Sequence, residues 1–188
     1  MQKVATSLQG VWELRPTVFR DARGYFLETF HCAKLAGLGI TETFVQDNQS
    51  CSSQGTLRGL HYQLRHPQAK LCRVVEGEVL DVAVDIRIGS PQFGAWTAVR
   101  LSSTTLNQIY IPAGFAHGFL TLTRTAIFLY KCSDFYDPSD EHGIAWNDPH
   151  LGIAWGIDTP LVSERDAACL TLRETPRELL PLFRENET

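Results

Sequence analysis

The sequence predicts an all-β fold, and three observations carry that expectation. From Thr43 to Tyr130, short apolar runs follow one another, separated by Gly, Pro and Asn turn signals. No strand-then-long-helix alternation appears, which argues against a doubly wound parallel sheet. Short strands at this spacing belong to a sandwich, a jelly roll or a barrel. The 188 residues, 44% of them hydrophobic, are enough for one sizeable core. No repeat or domain boundary interrupts them, so we read a single domain over 1–188 with a tail from about 170 to 188.

The elements follow in order. Leu8 to Arg15 reads as an early strand, with Pro16 to Phe19 continuing it. Arg20 to Gly24 is a turn closed by glycine. Tyr25 to Phe30 alternates, placing Tyr25, Leu27 and Thr29 on one face and Phe26, Glu28 and Phe30 on the other. A lone Glu28 at such an edge faces water by default. His31 to Leu38 forms a short helix stopped by Gly37 and Gly39. Val74-Val75 turns at Glu76-Gly77, a tight-hairpin signal, into Val79 to Ile86. Arg87 to Pro91 breaks the run, Trp96 to Leu101 resumes it, and Asn107 to Pro112 and Phe119 to Tyr130 complete the strands. After Asp134, Asp137-Pro138, Asn147-Asp148-Pro149 and Thr159-Pro160 mark loops. Ser163 caps a helical turn through Asp166, and Glu178 to Glu185 is a terminal helix or a frayed tail.

Composition narrows the function. A net charge of −4 offers no basic field for nucleic acid and no polybasic membrane patch. No apolar run reaches the roughly 20 residues of a membrane helix. The N-terminus lacks a signal-peptide pattern. Five scattered cysteines without a C-x-x-C pair fit neither a disulfide framework nor a zinc site, and point to reduced thiols in the cytoplasm.

The chemistry concentrates between Gln46 and Asp85. Arg58, His61 and Lys70 stand within thirteen strand-like positions, where a charge is costly unless something binds it. Strict alternation puts His61 and Gln63 on the face of Leu57 and turns Arg58 away, unless Gly59 supplies a bulge that brings it round. Lys70 lies at a distance that suits a hairpin neighbour of His61. A single strand histidine is more often structural than catalytic, so the weight comes from the set. Histidine can take a proton near neutral pH, an ammonium can stabilise an enolate oxygen, and Tyr130 can return a proton from the other side. Such a trio would invert a carbon next to a ketone without a cofactor. A carboxylate on the far nitrogen of the imidazole would fix its tautomer. Asp81, Asp85 and Asp166 are all candidates, and spacing does not choose among them.

A metal site is the competing reading. A cupin metal site needs paired histidines one residue apart, a Glu and a later His; here His61-Tyr62-Gln63 lacks the second histidine. His117, without a carboxylate at matching spacing, makes a poor ligand set, and we expect no metal. Following a Pro-x-Gly turn, it either binds an anionic or hydroxyl group or is satisfied by backbone.

An ordered set of motifs carries a resemblance. Arg23-Gly24-Tyr25-Phe26-Leu27-Glu28, Gln46-Asp47-Asn48, Leu57 to Gln63 and Gln68-Ala69-Lys70-Leu71 resemble the dTDP-4-dehydrorhamnose 3,5-epimerase family. So do Asp81 to Arg87, Ser90-Pro91, Pro112 to Phe119 and Trp146-Asn147-Asp148-Pro149. The resemblance implies a cupin-like jelly roll with a few short peripheral helices. It implies a homodimer exchanging N-terminal strands, and epimerisation of a dTDP-4-keto-6-deoxy sugar at C3 and C5 with no metal or cofactor. It implies that His61 is the base, Tyr130 the acid, Lys70 the enolate-stabilising cation and Asp166 the partner of His61. Sugar-nucleotide contacts are implied at Arg23, Glu28, Gln46, Asp47, Asn48, Arg58, His117, Glu141 and Arg165. Two positions depart from the family pattern: Arg165 stands where lysine is frequent, and Gly156 where proline is usual. Relatives that invert only C3 or only C5 share these residues, and a non-catalytic sugar-binding jelly roll is the alternative of another class.

Overall fold

The computed structural model describes residues 1–184, so part of the predicted Glu178–Glu185 element lies outside the described residues. The first strands are β1 (Gln2–Ala5), β2 (Trp12–Arg15), β3 (Val18–Asp21), β4 (Gly24–Leu27) and β5 (Gln46–Ser53). They continue with β6 (Leu57–Gln63), β7 (Lys70–Glu76), β8 (Glu78–Asp85), β9 (Trp96–Ser102) and β10 (Gln108–Ile111). The last are β11 (Phe115–Thr121), β12 (Thr125–Cys132) and β13 (Glu141–Gly143). Two short helices, α1 (Cys32–Ala36) and α2 (Glu164–Ala167), lie at the periphery. One sheet runs β1-β2-β10-β7-β12-β5, and the other runs β13-β6-β11-β8-β9, with antiparallel pairing throughout. This is a cupin-like jelly roll, as expected.

The inner faces meet over Val74 and Phe128 from the first sheet and Val79, Ala83 and Phe119 from the second. Both outer faces are covered as well. Leu57, Val82, Val84 and Leu120 pack under the C-terminal segment through Ile144, Trp155, Leu172 and Leu180. Leu14, Leu71 and Tyr110 pack under the α1 region through Leu35 and Ile40. Burial on both faces explains why Val79 to Ile86 reads as a near-continuous apolar run rather than an alternating one. Each fully buried Leu, Ile or Phe contributes about 1.5–3 kcal/mol.

Several expectations change. The turn at Glu76-Gly77 is no hairpin: β7 and β8 belong to different sheets, and Gly77 at φ +77° carries the chain across. A Cβ there would sit 2.1 Å from the Thr125 carbonyl oxygen. Lys70 is likewise not a hairpin neighbour of His61; it faces His61's sheet from the other side. Phe119 to Tyr130 is two strands, one per sheet, broken at Leu122–Arg124. The early strand is shorter than Leu8–Arg15 and pairs with β1, which carries no clear period. The expected His31 to Leu38 helix is shorter, Cys32–Ala36, with His31 as its N-cap and Gly37 as its C-cap. All five cysteines are free, and among the described residues no helix is long and apolar enough to cross a membrane.

Candidate active site

A cavity of about 550 Å³ opens between the two sheets. The β12 and β7 wall carries Tyr130 and Lys70, and the β6 and β11 wall carries His61, Arg58 and His117. Gln46 and Asn48 reach it from β5, Glu141 from β13, and Arg165 and Asp166 from α2.

Gly59 makes the β6 wall possible. Against β11, His61 pairs with His117 and Arg58 with Phe119, so β6 spends one extra residue across that interval. The bulge keeps Arg58 and His61 on the cavity side while Leu57, Leu60 and Tyr62 join the apolar layer behind. Gly59 has φ +103°, and a Cβ on it would lie 2.5 Å from the His117 carbonyl oxygen. No other residue fits there.

The three candidate carboxylates separate cleanly. Asp166 takes His61, with Oδ1 2.7 Å from Nε2. Its Oδ2 accepts from the Gly59 N–H at 3.3 Å, and Ser163 Oγ accepts the Asp166 N–H at 3.1 Å, the helix cap read from sequence. Burial pushes the Asp166 carboxyl up, but the His61 hydrogen bond and charge, with the Gly59 amide and Ser163, outweigh it and hold the group below the usual carboxylate range. Asp81 takes His117 instead: Nε2 is 3.0 Å from both carboxylate oxygens, and the pair is buried. His117 is therefore a strand residue satisfied by a side chain, not by a turn backbone. Asp85 accepts from Arg87 Nε at 2.9 Å and Nη2 at 2.7 Å, and from Ser90 Oγ at 2.6 Å. It is structural.

With Nε2 engaged by Asp166, Nδ1 is the His61 nitrogen left to exchange a proton; Glu141 Oε1 lies 3.8 Å from it. Glu141 is held by Tyr136, whose hydroxyl donates to Oε2 at 2.7 Å, and by the Arg165 guanidinium. Arg58 Nε donates to Ser52 Oγ at 3.0 Å. Lys70 makes no salt bridge or side-chain hydrogen bond among the described residues. Burial pushes the Tyr130 phenol up to about 12, helped by the neighbouring Cys132 and Cys72 thiols, so it is protonated at neutral pH. Tyr130 rests against Phe128, which stacks on Phe119 at 4.1 Å.

Three sequence-read contacts lie outside the cavity of a single chain. Arg23 is exposed on the β3–β4 hairpin and bonds Asp21, and Glu28 pairs with Lys34 at 2.7 Å. Asp47 faces outward on β5, between the inward Gln46 and Asn48, and pairs with Lys131 at 2.8 Å. Sequence reading missed Tyr136, Gln63, Gln68 and Ser163 as lining residues. Only Gln63, on the face of His61, carried a positional signal.

Comparisons with known proteins agree with one another. The sequence profile of the dTDP-4-dehydrorhamnose 3,5-epimerase family matches residues 5–174. The chain is 48% identical over 176 residues to the dTDP-4-dehydrorhamnose 3,5-epimerase of Methanothermobacter thermautotrophicus, covering 92% of this chain and 95% of that one. Its structure is similar to the Legionella pneumophila dTDP-6-deoxy-D-glucose-3,5-epimerase in complex with dTDP-4-keto-L-rhamnose. The TM-score is 0.95 at 45% identity, over 97% and 98% of the two chains. It is also similar to a 3'-monoepimerase from Streptomyces bikiniensis, with TM-score 0.88 at 39% identity over 94% and 91%.

Proposed function

The chain belongs to the dTDP-4-dehydrorhamnose 3,5-epimerase family, and from that premise we propose that His61 and Tyr130 carry its chemistry. The reaction is inversion of C3 and C5 in dTDP-4-dehydro-6-deoxy-D-glucose, giving dTDP-4-dehydro-L-rhamnose. One observation supports the assignment above the rest: an imidazole oriented by Asp166 and a neutral phenol stand on opposite walls of one cavity.

His61 Nδ1 removes the proton next to the C4 ketone, and the C–H electrons move into the carbonyl to form an enolate. The resulting imidazolium is stabilised by Asp166. Lys70, with no competing salt bridge among the described residues, supplies positive charge to the enolate oxygen. Tyr130 donates its proton to the opposite face of the carbon, and solvent restores both groups before the second centre reacts. Arg58 and Arg165 provide guanidinium forks for the diphosphate.

The working unit is a homodimer. The β3–β4 hairpin forms a separate two-stranded sheet, and Phe19 and Phe26, a cross-strand pair, are 62% and 69% exposed. A second copy would cover this face and carry Arg23 and Glu28 to its neighbour's cavity.

Incubation with the 4-keto sugar nucleotide in D2O, followed by NMR, tests the reading. Deuterium at both C3 and C5 is the expected result. Label at one carbon assigns a mono-epimerase like the Streptomyces relative, and label at neither removes the enzyme assignment.

A further inference from the structure

Behind the cavity wall, His117 meets two donors, Cys72 and Asp81, to which the proposed epimerisation gives no role. Cys72, Asp81 and His117 each offer one ligand atom, and these atoms lie within 4.8 Å of one another. All three residues are buried, Cys72 and Asp81 completely. They come from three strands of both sheets, β7, β8 and β11, so the framework fixes them. The sequence reading denied His117 a carboxylate neighbour; the fold supplies one.

We infer that Cys72, Asp81 and His117 form a latent site for a thiophilic divalent cation of the zinc type, opening on the catalytic cavity through His117. The donor set is one sulfur, one oxygen and one nitrogen, the mixture that suits zinc and cadmium rather than magnesium or calcium. Charge favours the same ions: a thiolate and a carboxylate balance a divalent cation, and neutral imidazole completes the set. Tetrahedral zinc bonds of about 2.0–2.3 Å place ligand atoms about 3.5 Å apart. The Asp81 and His117 donors, hydrogen-bonded at 3.0 Å, need to part by only about half an ångström once the ion replaces the proton between them, and side-chain rotation of Cys72 closes a gap of at most about an ångström. Three protein ligands leave a fourth position, and of the three ligands His117 is the one that lines the cavity. The ion is therefore an inhibitor. It draws His117 away from the sugar nucleotide and places a positive charge beside Lys70 and Tyr130. The inhibition rests on the proposed reaction; the binding does not.

The test uses the full chain, stripped with a chelator, and zinc chloride as the probe. Calorimetry should show one zinc ion per chain, and cadmium should produce thiolate-to-metal charge-transfer absorption. Cys72→Val keeps about the volume and the apolar packing of this core position, and its zinc response is read against its own metal-free turnover. Its zinc affinity should fall at least 100-fold, and the cadmium band should disappear. Substrate at saturating concentration should weaken zinc binding to the native chain. No stoichiometric binding, or equal binding and inhibition in Cys72→Val, would overturn the site. Binding that is lost in Cys72→Val without any effect on turnover would overturn the inhibitory role while leaving the site. Should the stripped native chain fail to exchange deuterium at all, the epimerase reading fails, and the cadmium band still decides the metal site.

Discussion

The two ring nitrogens of His61 stand in different surroundings, one against Asp166 and one towards Glu141. Asp166 holds Nε2 at 2.7 Å, so under the proposed mechanism proton transfer falls to Nδ1. His61→Ala should leave the fold intact and lower turnover at least 10³-fold, the upper range of general base catalysis, with deuterium exchange at C3 and C5 lost together. Asp166→Asn keeps the shape but not the charge, and a rate loss of about 10² or more is expected in the same assay. The sign of the pH effect follows from the carboxyl lying below its ordinary range in the fold. Its interaction contributes stability above that range, and the contribution disappears as pH falls through the folded value. The acid-side stability loss should therefore be smaller in Asp166→Asn than in the native chain when melting temperature is followed from neutral pH downward. Tyr130 is perturbed in the other direction. With its phenol pushed up to about 12, it should remain almost wholly neutral at pH 10, where an ordinary tyrosine is about half ionised. Ultraviolet titration of native chain against Tyr130→Phe reads this directly: no tyrosinate difference should appear near pH 10. The same variant should exchange deuterium more readily than it inverts, because proton removal by His61 survives and return to the opposite face does not.

Strand β6 shows what was legible in the sequence at the level of an element. Apolar residues and the adjacent Gly59 predicted a strand with a possible bulge, and the bulge is what sets Arg58 beside His61. Gly59→Ala would force a Cβ to within 2.5 Å of the His117 carbonyl at a positive φ. A destabilisation of about 1–3 kcal/mol is expected from strain alone, together with lost turnover, as a lowered melting temperature and a slow exchange assay would report. Local signals of this kind were readable: the glycines bounding α1, the Ser163 cap, and the apolar run of β8. Partnership between strands was not. Glu76-Gly77 looks like a hairpin because nothing local distinguishes a turn between paired strands from a crossing between sheets. For the same reason Asp81, Asp85 and Asp166 were indistinguishable. Which basic side chain each carboxylate meets depends on strand order, and Asp166 lies 105 residues beyond His61. The family resemblance chose Asp166 where spacing could not.

The molecule as a whole leaves one inconsistency in a single chain, which the proposed second copy would resolve. Arg23 and Glu28 fall in the motif that resembles the family's, yet neither lines the cavity of its own chain, and the β3–β4 hairpin leaves Phe19 and Phe26 uncovered. Nearly all of the lining charges sit on the two large sheets or α2, and these sheets are closed by their own core layers. An exposed aromatic pair on an isolated two-stranded sheet is marginal in water, which favours its burial against another subunit. Sedimentation should accordingly give a dimer, and Phe19→Ser with Phe26→Ser should shift it towards monomer. Complementation distinguishes the route by which Arg23 acts. Arg23→Ala alone should weaken substrate binding by about tenfold or more, as loss of a charge-assisted contact would, and His61→Ala alone should be inactive. Mixed dimers of the two variants contain one cavity with an intact His61 that faces the partner's intact Arg23. If the hairpin reaches across the interface, that cavity recovers native KM at half the native number of sites. If Arg23 serves its own chain, every active cavity in the mixture retains the raised KM, and the hairpin's exposed face needs another explanation.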